Sequence, residues 1–143
     1  MRFSRTLRAA GQARPRNMVG SGKVSVLGIP IDLGGNHRGV DMGPSAFRVA
    51  DLDAQIATLG YEVEDLGNVS VPAQHSIGAA LLPKARYVRE IAAVCEDVAR
   101  RVREVMARDR FPICLGGDHS AAVGSVSGTA AHCAAHGERI GMV

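Results

Sequence analysis

Three short apolar runs of strand type alternate with segments of helix length, and that alternation limits the fold more than any other feature. The runs are KVSVLGIPI (Lys23–Ile31), YEVEDLG (Tyr61–Gly67) and FPICLGG (Phe111–Gly117). Between the second and third, Val88, Ile91, Cys95, Val98, Val102 and Val105 recur at steps of 3, 4, 3, 4 and 3. That is the stripe of an amphipathic helix, and it predicts one from Lys84 to Asp109. Arg86, Arg89, Glu90, Glu96, Arg100, Arg103, Glu104 and Arg108 supply its wetted faces. Strands joined through helices of this length lie parallel, with right-handed crossovers.

The remaining segments extend the same pattern. Phe47, Ala50, Leu52, Ile56 and Leu59 predict a single helix over Ser45–Gly60, with Pro44 suited to its first turn and Gly60 to its end. NVSVPAQHSIGAALLP is expected to be a loop, and HSAAVGSVSGTAAHCAAHG a small-residue helix closing on Gly137. RIGMV (Arg139–Val143) reads as the start of a fourth strand. The order β-α-β-α-β-α-β defines an α/β domain with a parallel sheet. Aromatic residues make up only 3% of the 143, so the core must be built from Val, Ile, Leu and Ala.

Charge is unevenly placed. Residues 1–23 hold six of the 17 basic residues and none of the 14 acids, which leaves residues 24–143 at −3. The basic character belongs to the extension over 1–22, expected to be disordered, and not to the domain over 23–143. Without bases and aromatics interleaved on folded elements, no nucleic-acid partner is expected. No 18-residue apolar stretch exists, so no membrane span is expected. An Arg-rich, acid-free extension has the composition of a mitochondrial transit peptide. The preferred reading is a plain extension or an upstream start codon, which makes the expected location cytoplasmic. Cys95, Cys114 and Cys133 are widely spaced in apolar contexts and read as reduced, buried thiols.

In open parallel sheets, ligands bind beyond the carboxyl ends of the strands. Asp32–Gly43, Gly67–Pro72 and Gly116–Ser120 fall there. The third carries Gly116, Gly117, Asp118 and His119 in succession. On spacing alone it supports three readings: a helix cap held by Asp118 or Ser120, a metal ligand in His119, or an anion cradle. Neither a GxGxxG nor a GxxxxGK[ST] loop is present, which weakens the last. His37, His75, His132 and His136 show no mutual metal-ligand spacing and are expected to be loop or surface residues.

VLGIPIDLG, RGVDMGPSAFR, GYEVEDLG and FPICLGGDHSAAVGSVSG together resemble the ureohydrolase family, and arginases within it, from about Lys23 to Val143. The resemblance implies a three-layer fold with a parallel sheet of eight strands, about four of them present here. It implies a binuclear Mn²⁺ centre that hydrolyses L-arginine to L-ornithine and urea. His119 matches a metal ligand, Gly116 and Gly117 match the turn presenting it, and Asp118 matches a neighbour acting on the turn or on the ligand. The family's DAHxD and DxDxxDP ligand motifs and its substrate-binding residues have no counterpart in these 143 residues. No catalytic residue is therefore assigned, and at most one metal ligand is present. The chain reads as the N-terminal portion of an arginase, inactive alone. The alternatives are a portion of an agmatinase or guanidino-acid hydrolase, or a non-catalytic module that binds full-length subunits. For the complete family member the resemblance implies a trimer or hexamer. It also places the fourth strand away from the third, so RIGMV lacks its native neighbour, and residues 139–143 are expected to lie beside the third strand instead.

Overall fold

The computed structural model describes residues 21–36, 38–77 and 86–141. Most of the basic extension, His37, the segment 78–85 with the predicted helix start at Lys84, and the last two residues lie outside them. The elements are β1 (Lys23–Ile29), α1 (Gly43–Val49), α2 (Leu52–Thr58), β2 (Glu62–Asn68), α3 (Val88–Ala107), β3 (Phe111–Gly116) and α4 (Ala121–Ala135). The sheet order is β2-β1-β3, and both pairings are parallel. Val24 lies opposite Val63 on one side and Phe111 on the other.

β1 is central because its residues are apolar on both faces. Val24 and Val26 pack with Leu115, joined by Leu52 and Ile56 from α2. Leu27 and Ile29 point the other way and pack with Val94, Val98, Val102 and Ala121 from α3 and α4. The result is three layers. Val26, Leu27 and Ile29 are fully buried, each contributing on the order of 2 kcal/mol of transfer free energy.

Ser25 is the polar exception in β1, with no exposed surface. Its hydroxyl donates to Glu64 Oε2 at 3.1 Å and accepts from Arg110 Nε at 2.7 Å. The Arg110 guanidinium also donates to Val24 O at 2.6 Å and Glu62 Oε1 at 2.7 Å. One side chain at the entrance to β3 thereby ties β1 to β2.

Three expectations fail. The predicted helix over Ser45–Gly60 is two short helices, broken at Asp51, which has φ 54°. Asp is one of the few residues that enters the left-handed region readily. The break lets Leu52 and Ile56 turn to the sheet while Phe47 and Leu59 remain exposed. Arg139–Gly141 form no strand, so the described sheet has three strands rather than four. Gly137, at φ 69°, turns the chain after α4, and Ile140 enters a cleft beside Pro112, Cys114 and Val126 without pairing. Finally, only Cys95 of the three free thiols is buried; Cys114 and Cys133 are half-buried.

Candidate functional site

The loops after β1 and β3 meet over the carboxyl end of the sheet. Gly117 N–H donates to Ile29 O at 3.0 Å, and Asp118 N–H to Ile31 O at 2.8 Å. The chains are so close that a Cβ on Gly117 would lie 2.1 Å from Ile31 O, so this position admits only glycine. Gly43, at the start of α1, approaches Gly116 O in the same way, with 2.6 Å left for a Cβ. Glycines on both loops let β3 turn back against β1 and aim the next residues outward.

Asp118 is consumed by that turn. Its Oδ2 accepts from Gly34 N–H at 2.7 Å, and its Oδ1 accepts from Ser120 N–H at 2.8 Å and from the Ser120 hydroxyl. Burial pushes the carboxyl pKa upward, but the bonds from Ser120, Gly34 and Gly35 outweigh it and hold the group below its ordinary value. Asp118 thus caps the approach to α4 and clamps the β1 loop. Ser120, at the N-cap itself, makes no capping bond with its side chain.

His119 is exposed and lines an open cleft of about 530 Å³ with Ile29, Cys114, Gly117, Ala122 and Ser125. Burial raises the Cys114 thiol to about 11, so it is protonated at neutral pH and is neither a nucleophile nor a ready ligand. Among the described residues no three His, Cys, Asp or Glu side chains converge as a metal site would require. A hydrolytic centre takes at least three protein ligands. These residues therefore do not by themselves fit the binuclear centre that the resemblance implies, and no catalytic step is assigned to them.

A second tie, which the sequence reading did not single out, joins the same loop to the entrance of α3. Asp32 is buried, and Arg38 Nε lies 2.8 Å from its Oδ2 without an N–H aimed at that oxygen. Arg38 also donates to Gln74 Oε1, and Gln74 donates to Tyr87 Oη at 2.9 Å. On the opposite face of the sheet, Arg48 grips Asp65 at 2.6 and 2.9 Å and Asn68 at 2.7 Å, above Gly28, where a Cβ would meet Asn68 at 1.9 Å. The Gly67–Pro72 segment enters the core through Val69 and brings no titratable side chain to the cleft. The sequence signal for the Arg38 and Arg48 ties was a basic residue within or just after a glycine-rich loop that also carries acids.

Fold and site together define a class: a parallel α/β domain whose first and third strands end in interlocked glycine turns, with an imidazole set on the cleft they form. Comparisons with known proteins narrow the class. A family model described as "Arginase family" matches residues 22–143, and the chain belongs to that family. It is 39% identical over 120 residues to an arginase of Bacillus caldovelox, covering 84% of this chain and 39% of that protein. It is 42% identical over 109 residues to an arginase of Bacillus subtilis, covering 76% of this chain and 36% of that one. The native structure of the Bacillus caldovelox arginase superposes with a TM-score of 0.72 at 40% identity, over 77% of this chain and 37% of that one. The chain thus spans less than two fifths of the curated relatives it matches, and its sheet is the corresponding part of the arginase fold.

Proposed function

We propose that this chain is the N-terminal portion of a manganese-dependent arginase, in which His119 supplies one metal ligand for hydrolysis of L-arginine to L-ornithine and urea. The observation that carries this reading is the turn itself. Asp118 spends its carboxylate on the backbone, and the adjacent imidazole is left exposed on a cleft at the carboxyl end of a parallel sheet. That is where a ligand belongs in such a fold. The arginases that the chain resembles support arginine as the substrate; a cytoplasmic location and a homo-oligomeric complete enzyme are part of the same proposal. The two manganese ions would lower the pKa of a water in the complete site. The residues here would contribute one donor and the rigid turn behind it, so the 143-residue chain alone is inactive.

The test has two parts. The purified 143-residue protein, incubated with Mn²⁺ and L-arginine, is expected to release no more urea than its His119→Ala variant; release above that level overturns the inactivity. A chimera placing residues 23–143 in the corresponding part of the Bacillus caldovelox arginase is expected to hydrolyse arginine. His119→Ala in that chimera should cut kcat by about 100-fold or more, as loss of a metal ligand does. A folded chimera whose activity is indifferent to His119 would sink the ligand assignment.

A further inference from the structure

We propose that His132 and His136 form a two-histidine site for a borderline divalent transition ion such as Zn²⁺, Ni²⁺ or Cu²⁺, separate from the His119 cleft. The linear spacing is uninformative, but His132 in the last turn of α4 and His136 at its C-cap lie four apart on one face. Their ring centroids are 4.3 Å apart and the planes are tilted by 32°. His136 Nδ1 lies 2.8 Å from His132 O. A carbonyl can only accept, so Nδ1 carries the proton, and the lone pair of His136 is left on Nε2. A backbone carbonyl that fixes the tautomer in this way is the usual support of a metal-ligating histidine. The rings line a cleft of about 320 Å³ with Arg100, Arg103, Glu104 and Ala107 of α3. Arg100 is held by Asp97 and by Glu104 at 2.7 Å, which offsets its charge beside the cleft.

The site lies at the C-terminal end of α4, the negative end of the helix dipole, which favours a cation and opposes the charge of Arg103 in the lining. Two imidazoles and water suit borderline ions, and affinity for such a set rises from Mn²⁺ through Ni²⁺ to Cu²⁺, with Zn²⁺ also above Mn²⁺. A bound ion would clip the last turn of α4. His119 lies just before α4 begins, and a 15-residue helix is roughly 22 Å long, so the two sites are independent.

Calorimetric titration of the tag-free protein with Zn²⁺ tests the proposal. One ion per chain is expected. His132→Ala and His136→Gln should each weaken binding by about tenfold or more, while His119→Ala and Cys133→Ser leave it unchanged. Mn²⁺ should bind at least about tenfold more weakly than Zn²⁺. Circular dichroism checks that each variant keeps its helices. Absence of Zn²⁺ binding, equal binding by a folded double variant lacking both histidines, or a loss confined to Cys133→Ser would each overturn the site.

Discussion

At the scale of single residues, the site depends on one carboxylate that does no chemistry in the cleft. Asp118 accepts bonds from both loops, so its charge stabilises the turn that carries His119. Its folded pKa is depressed, with burial opposed by the bonds from Ser120 and Gly34. A depressed carboxyl contributes stability that is present above the ordinary Asp value of about 3.9 and is lost as pH falls through the lower folded value. In Asp118→Asn one oxygen becomes an NH₂, which faces the Gly34 or Ser120 N–H, donor against donor. A cost of about 1–3 kcal/mol is expected at pH 7. Because wild type also loses its carboxylate in acid, the gap should narrow below about pH 4. Urea midpoints of both proteins between pH 7 and pH 3 check this, and a constant gap would show that the charge is not what holds the turn.

At the scale of elements, α4 succeeds as a helix because of residues that are poor helix formers. Gly124 lies where a Cβ would be 2.7 Å from Cys95 O, and Gly128 where it would be 2.6 Å from Ala99 O. Backbone contact between α3 and α4 replaces side-chain packing there. In Gly128→Ala two effects compete. Helix propensity gains about 1 kcal/mol, but overpacking against an immovable carbonyl and the Val102 Cβ costs about 1–3 kcal/mol. The second should win, and a lower thermal midpoint than wild type is expected; a rise would mean that the helices separate without penalty. The same element shows what was legible in the sequence. β1 and α3 could be read because Val24–Ile29 is an almost continuous apolar run and the Ile91–Val105 stripe recurs at helical steps, although Val88 at its head is exposed. The turn at Gly116–Gly117 could be read because its glycines mark a close approach. The break at Asp51 was not legible: one left-handed residue redirects α2, and apolar spacing does not register it. His132 and His136 became neighbours only once the C-terminal turn of α4 was fixed.

At the scale of the whole molecule, the sheet is unequally finished. β2 presents Glu62 and the Arg48-paired Asp65 on its side, charges that discourage another strand from adding. β3 has no partner on its outer side among the described residues, exposes half of Phe111, and shares a cleft with the exposed Val126 of α4. The chain covers 36% of the Bacillus subtilis arginase, so much of the fold that surrounds these elements in that relative has no counterpart here. An apolar strand edge in this state recruits other strands. Ile140 covers only part of the adjoining cleft and adds no ladder bonds. The 143-residue protein should therefore self-associate as its concentration rises. Phe111→Lys should oppose this, because it puts a charge at an exposed edge position while leaving the buried Leu115 in place. Sedimentation velocity over a hundredfold range of concentration, roughly 1 to 100 μM, resolves the matter. Larger species in wild type and a shift toward monomer in Phe111→Lys are expected. A wild-type protein that stays monomeric throughout would mean that the β3 edge is already closed by the chain's own residues.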